Sequence, residues 1–267
     1  MARIGLVAGS GKLPIIFAES AKDKGETVIG FGIKGVTDEG LEAKVDKMHW
    51  LAWGDLKKAM ALLLLNRIGK IVLLGKIAKS EILNAKDALD EEARAAVGKI
   101  GDRKDYAIFN GVAGALKKIG VEVLDSTVYF KDLIPQKGVI TKRSPTKEES
   151  EDIKYGETIA RQIAGFDIGQ TVAVKNRTAI AIEAIEGTDG AIARAGGLVK
   201  GGFVVVKTAR PDQDMRFDVP LIGPDTMSSA IKAGATAFAL ESGKTILMDK
   251  EELIKLADDN NLSVVII

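Results

Sequence analysis

Between Lys207 and Asp218 the chain places Lys207, Arg210, Asp212, Gln213, Asp214, Arg216 and Asp218, with Pro211 and Pro220 stiffening the stretch. Side chains of an extended segment alternate faces with a period of two. That spacing predicts Asp214, Arg216 and Asp218 on one face and Met215, Phe217 and Val219 on the other. Two carboxylates flanking a guanidinium suit a site that must hold a metal and a phosphate together. An isolated D-x-R-x-D pattern would read as a solvated, charge-alternating strand. Lys207, Arg210 and Asp212 beside it favour chemistry.

A second acidic group, Glu183, Glu186 and Asp189, follows a strand, and Gly187 permits a tight turn there. Oxygen ligands suit Mg²⁺, which keeps several waters and takes one or two carboxylates plus substrate phosphate oxygens. The plain reading has Asp189 as a helix cap, a role Thr188 could share, and Glu183 as a solvated strand residue; for Glu186 and Asp189 taken singly the plain reading is the better one. Facing a second acidic cluster, Glu183 and Asp189 become candidate metal ligands with Asp214 and Asp218.

Gly9-Ser10-Gly11-Lys12 joins a strand to a helix opened by Pro14. Backbone N–H groups at such a helix start favour an anion. Pro14 stands where a dinucleotide fingerprint has its third glycine, and the second strand ends at Lys34 without an acid for a ribose hydroxyl. Gly9, Ser10 and Gly11 are therefore expected on a nucleotide or its phosphates rather than on NAD. A turn needed only for its geometry fits the same residues equally well.

The composition narrows the chemistry. The 267 residues carry a net charge of +1, so no global field argues for nucleic acid. The absence of cysteine excludes disulfides, thiolate zinc sites and a cysteine nucleophile, and the single histidine, His49, disfavours a Ser-His triad. His49 with Trp50 and Trp53 reads as a structural patch, and Met60 to Leu65 as core. No run of eighteen apolar residues suggests a membrane span, and the N-terminus has no convincing signal peptide, so a cytoplasmic location is expected.

These residues need a scaffold. Buried strands are expected at 3–8, 27–33, 48–52, 70–74 and 121–124, with helices at 14–24, 55–66, 88–97 and 103–119, the last starting at Asp102-Arg103. Strands alternating with helices predict a parallel sheet covered on both faces. Pro135 to Thr146 reads as a linker, and Thr146 with Glu149 as a capping box before a helix. Strands at 171–175 and 178–183 flank a hairpin turn at Asn176-Arg177. Then follow a glycine-rich helical piece at 190–195, a strand at 203–206, a helix from Thr226 to Ala233 and extended segments at 236–240 and 245–248. A helix capped by Asp249 and Glu252 leads to a closing strand at 262–267. Two α/β domains result, 1–140 and 141–267.

The runs AIEAIEGTD at 181–189, K-x-A-R-P-x-Q-D-x-R-F-D-x-P at 207–220 and IGPDT at 222–226 resemble the LpxI family of UDP-2,3-diacylglucosamine pyrophosphatases. AGSGKLP at 8–14, Asp102 and KDLIPQKGVIT at 131–141 resemble it too, so the likeness covers nearly the whole chain. The resemblance implies a Rossmann-like N-terminal domain with a parallel sheet, a second α/β domain with a mixed sheet, and a lipid substrate held between them. Water would cleave the pyrophosphate of UDP-2,3-diacylglucosamine, giving UMP and 2,3-diacylglucosamine 1-phosphate in lipid A biosynthesis. Mg²⁺ would be the metal, with Mn²⁺ as an alternative. Asp214, Arg216 and Asp218 would be catalytic. Gly9, Ser10, Gly11, Lys12, Thr188, Lys207, Arg210, Gln213 and Thr226 would bind the UDP-sugar lipid. The protein would sit peripherally on the inner membrane of a Gram-negative-type bacterium, with a homodimer allowed and no nucleic-acid partner. One departure is Arg103-Lys104, where a second acid is expected after Asp102. The competing readings are a non-catalytic nucleotide-sugar sensor, which has little use for converging carboxylates, and a nicotinamide-dependent oxidoreductase.

Overall fold

Short β-branched runs ending in polar or glycine residues alternate with amphipathic stretches, and the chain folds accordingly. The computed structural model describes residues 2–76, 105–211, 213–216 and 219–267, with the backbone alone for 105–110. Its contacts divide it into two units, Met1–Phe130 with Met215–Phe217, and Lys131–Asp214 with Asp218–Ile267. The expected helix at 88–97 and the Asp102-Arg103 start lie outside the described residues, as do Asp212, Phe217 and Asp218.

The first unit runs β1 (Arg3–Ala8), α1 (Leu13–Asp23), β2 (Thr27–Ile33), β3 (Lys47–Leu51), α2 (Leu56–Leu65), β4 (Lys70–Leu74), α3 (Asp105–Lys118) and β5 (Glu122–Val123). The five strands pair in the order β3-β2-β1-β4-β5, all parallel. This is the expected Rossmann-like sheet. The strand order reverses beside β1, so the crevice at the carboxyl ends of β1 and β4 is the switch point where such sheets bind ligands. Ile29, Phe31, Leu63, Ile71 and Leu116 pack one core. His49 is structural: its ring stacks on Phe31 at 5.4 Å, and Asn66 Nδ2 lies 3.2 Å from its Nε2. Burial, then Lys47, holds its pKa below the ordinary histidine value.

The second unit contains β6 (Gly138–Val139), α4 (Lys147–Gly165), β7 (Thr171–Lys175), β8 (Thr178–Ile182), α5 (Gly187–Leu198), β9 (Phe203–Lys207), β10 (Leu221–Ile222), α6 (Pro224–Ala233), β11 (Ala235–Leu240), β12 (Ile246–Leu247), α7 (Lys250–Asp259) and β13 (Ser263–Ile266). Six strands form a mixed sheet in the order β6-β13-β11-β9-β7-β8, while β10 and β12 form a separate pair. Strands β9, β11 and β13 are parallel; β7, β8 and β6 run antiparallel to their neighbours. Both faces are covered, which is why β9 reads as an unbroken apolar run. Phe203 and Val205 pack with Ile192, Met227 and Leu253. Val204 and Val206 pack on the opposite face with Ile153, Ala160 and Ile163.

The capping box at Thr146 and Glu149 forms with both reciprocal hydrogen bonds. The hairpin turn also forms, with Asn176 and Arg177 at φ 50 and 54°, and Asp152 accepts both of their N–H groups. Three local readings need correction. The expected linker carries β6, which pairs with β13. Thr141 Oγ1 accepts the Val264 N–H, and Arg143 donates to Glu149 and to the Asn261 and Thr236 carbonyls. These anchors make 138–143 part of the second unit's sheet edge. Asp249 sits before α7 in a left-handed conformation without a side-chain capping bond. Finally, 213–216 is not a strand: Met215 and Arg216 lie in a turn. The period-two alternation predicted for Asp214, Arg216 and Asp218 therefore does not apply.

Candidate functional site

Three strands of the second unit bring polar residues to one edge of one face. On β9, Phe203 and Val205 face the core under α5, so Lys207 at the end of that strand faces the same way. Thr171 pairs with Lys207 across the β7–β9 ladder, and Ala173 shares its face in that core. On β8, Ala181 belongs to that core, and Glu183, two residues on, continues its face. Helix α5 starts directly above this edge, with Gly187 at φ 75° making the turn and Thr188 in its first turn. Period two in the strands and one tight turn thus bring together side chains far apart in sequence.

Lys207 Nζ donates to Thr188 Oγ1 at 2.8 Å and lies 3.4 Å from Thr171 Oγ1. Thr188 Oγ1 donates to Glu183 Oε1 at 3.0 Å. Glu183 Oε2 accepts the Gln170 N–H at 3.0 Å and stands 4.0 Å from Lys207 Nζ. The Lys207 and Glu183 side chains are 10% and 12% exposed. A pair this deep has lost most of its hydration and persists because hydrogen bonds satisfy its remaining valences. Arg194 ion-pairs with Glu186 on the exposed side of α5 and holds its carboxyl below the ordinary glutamate value. Glu186 is therefore held away from this edge.

The chain leaving β9 is also fixed. Glu241, just past β11, accepts the Ala209 N–H at 2.7 Å and pairs with Arg161 at 2.9 Å. Arg210 pairs with Asp167 at 2.9 Å. Gln213 is buried; its Oε1 accepts the Arg210 N–H at 3.1 Å and its N–H donates to the Arg210 carbonyl. Gln213 thus closes the Arg210-to-Gln213 turn, a structural use of a residue expected on substrate. Asp214 is partly exposed, and Thr226 lies partly exposed in the first turn of α6. Within the first unit, Arg216 lines an open cleft of about 610 Å³ with Lys117 and residues 120–125, at the end of β5. Asp218 lies outside the described residues.

In the first unit the glycine turn differs from the expectation in one respect. Gly9 N–H donates to Leu74 O, and Ser10 exchanges both backbone hydrogen bonds with Lys76. Ser10 Oγ also donates to Lys76 O at 2.9 Å. The Gly9 and Ser10 amides, expected to face an anion, therefore bind the last residue of β4 and the segment after it. A Cβ on Gly9 would lie 2.6 Å from Lys76 O, so the close approach of backbones dictates glycine there. Gly11, at φ 98° with nothing within 4 Å of where a Cβ would stand, makes no backbone hydrogen bond to another described residue. Lys12, exposed, follows it at the start of α1.

No group of three or more His, Cys, Asp or Glu side chains among the described residues is placed to hold a metal ion. Asp189 is exposed. The Glu183 oxygens already take Thr188, the Gln170 amide and the Lys207 ammonium. Mg²⁺ binds carboxylate oxygen at about 2.0–2.1 Å, which would set two cations against each other there. Glu183 does not fit a magnesium ligand in this arrangement.

The sequence did not point to Thr171, Gln170, Asp167, Glu241 or the Gly75-Lys76 segment. Only Thr171 had a signal, its period-two relation to Ala173, and its use depends on a register no single strand reveals.

Fold and strand-end residues together define a two-unit α/β protein with an ammonium, hydroxyls and a carboxylate gathered at the end of a parallel strand. The LpxI N-terminal domain model matches residues 3–133 and the LpxI C-terminal domain model residues 136–265. The chain belongs to the LpxI family. It is 27% identical to the UDP-2,3-diacylglucosamine pyrophosphatase LpxI of Caulobacter vibrioides over 99% of this chain and 97% of that protein. The bifunctional purine biosynthesis protein PurH of Sinorhizobium medicae is 32% identical over 48% of this chain and 23% of its own length. A solved biotin carboxylase subunit of pyruvate carboxylase, 11% identical, covers 65% of this chain and 35% of its own with a TM-score of 0.29, a likeness too slight to bear on fold or site.

Proposed function

We propose that this chain hydrolyses the pyrophosphate of UDP-2,3-diacylglucosamine to UMP and 2,3-diacylglucosamine 1-phosphate, a step of lipid A biosynthesis. The observation that carries the reading is the buried Lys207, locked by Thr188 and Glu183, in a chain matched by both LpxI domain models. Phosphoryl transfer depends on positioning and on neutralising charge over the phosphate oxygens. Lys207 and the Thr188 hydroxyl would serve one phosphate. Arg216 would supply a forked donor for another, and Asp214 or Asp218 would take the proton from the attacking water. Lys12 and the Gly11 amide would hold the nucleotide end. Nothing in this scheme needs histidine or cysteine. The missing ribose acid and Pro14 speak against the oxidoreductase, and the carboxylates of the 214–218 run speak against a sensor.

Mg²⁺ or Mn²⁺ belongs to the proposal through Asp214 and Asp218, with substrate phosphate oxygens completing the shell. EDTA is expected to stop UMP release and either metal to restore it. Full turnover in exhaustively metal-free buffer contradicts that part. Asp214→Ala and Asp218→Ala should each lose about 10²–10⁴-fold in kcat with little change in Tm. Near-normal turnover in both removes the 214–218 run from catalysis.

Attachment to a membrane surface also belongs to the proposal. No described helix is long and apolar enough to cross a membrane. Phe166 and Ile168 before β7 and Ile185 after β8 are exposed, on two loops joined where Gln170 N–H meets Glu183. They would dip into the lipid surface that supplies the substrate. Phe166→Asp and Ile185→Asp should each reduce flotation with phosphatidylglycerol vesicles; flotation equal to the unaltered protein contradicts this placement.

A further inference from the structure

We infer that Glu183 is a positioning residue, not a metal ligand: its carboxylate holds the Thr188 hydroxyl and the Lys207 ammonium in place for a substrate phosphate. The inference rests on the pyrophosphatase reading and deepens it. A lysine side chain is a flexible stem with a point charge at its tip. Left alone at the end of β9, it would sample several rotamers and lose that freedom on meeting substrate. Here two anchors remove the freedom in advance. Thr188 Oγ1 accepts from Lys207 Nζ at 2.8 Å and donates its own hydrogen bond to Glu183 Oε1 at 3.0 Å. The other Glu183 oxygen lies 4.0 Å from the ammonium and is itself fixed by the Gln170 N–H. The hydrogen bonds converge on Glu183: Lys207 donates to Thr188 and Thr188 to one carboxylate oxygen, while the fixed Gln170 backbone N–H donates to the other. A lysine ammonium has three protons. Thr188 takes one of them, and the Thr171 hydroxyl lies 3.4 Å away. Such preorganisation places the donor before charge develops, which is how an electrostatic group contributes most.

The test compares Glu183→Gln, Glu183→Asp, Thr188→Val, Lys207→Met and the Glu183→Gln, Lys207→Met double variant. Each is assayed for UMP release, and Mn²⁺ binding is measured by electron paramagnetic resonance. Losing a hydrogen bond to a charged group costs about 10–100-fold. Glu183→Gln is expected to lose about that much in kcat/KM with Mn²⁺ affinity unchanged, and Glu183→Asp to recover part of it. In the Lys207→Met background, Glu183→Gln should cost nothing further, since groups acting as one unit are not additive. Multiplicative losses, or Mn²⁺ binding weakened tenfold or more in Glu183→Gln, overturn the inference while leaving the pyrophosphatase reading intact. Wild-type protein that releases no UMP overturns both. Should Glu183→Gln fail to fold, Thr188→Val decides: a lowered kcat/KM with unchanged Mn²⁺ affinity supports the inference, and an unchanged kcat/KM overturns it.

Discussion

Lys207→Met is expected to lower kcat/KM for UDP-2,3-diacylglucosamine by about 10²–10³-fold, the usual cost of deleting one electrostatic donor from a reacting phosphate or oxyanion. It should also lower stability. Removing one member of a buried pair leaves the other charged and unsolvated, at about 3–5 kcal/mol, and Glu183 is 12% exposed. At roughly 2–4 °C per kcal/mol for a chain of this size, the Tm should fall by roughly 10 °C. The two effects separate in the double variant. With Glu183→Gln added, no buried carboxylate is orphaned, so most of the Tm should return while activity stays lost. Recovery of activity along with the Tm would mean that Lys207 only supports the fold. An unaltered Tm in the single variant would mean that water reaches Glu183 and the pair is not buried in solution.

The glycine turn after β1 should separate fold from ligand within three residues. Gly9→Ala places a Cβ 2.6 Å from Lys76 O and 3.1 Å from the Gly75 carbonyl carbon, both backbone atoms. Neither can yield without pulling β1 and β4 apart, so a loss of about 1–3 kcal/mol or more is expected, visible as a lowered Tm. Gly11→Val meets open space, and its cost is the conformational one of φ 98°, about 1–3 kcal/mol. A branched side chain there would also crowd the Gly11 amide. Gly11→Val should therefore raise KM for the UDP-lipid more than it lowers Tm, and Gly9→Ala should do the reverse. Equal, purely thermal effects would make the turn structural throughout. Binding of NAD by the native protein would overturn its assignment to a UDP-lipid.

Local chemistry was the legible part of this chain. The Thr146 and Glu149 capping box, the Asn176-Arg177 turn and the parallel pairing of the first unit's strands all follow from residues near one another or from regular alternation. Pairings made at long range were not legible. Lys207 meets Thr188 and Glu183 only because β7, β8 and β9 stand side by side in one register, and no local pattern encodes that register. The Gly9 and Ser10 amides looked available until Leu74 and Lys76 came against them. The 135–146 stretch looked like a linker since proline and glycine mark loops, yet two of its residues complete a sheet edge. The 214–218 run misled for another reason. Alternation presumes an extended chain, and the turn at Met215-Arg216 breaks it. Arg216 then lines a cleft with Lys117.

Phosphorus NMR of purified protein with UDP-2,3-diacylglucosamine and Mg²⁺ tests the central claim most directly. The substrate's two pyrophosphate resonances should disappear together as two phosphomonoester resonances grow, one from UMP and one from 2,3-diacylglucosamine 1-phosphate. Persistent pyrophosphate signals, or their conversion to those of free UDP through cleavage at the sugar, would contradict it.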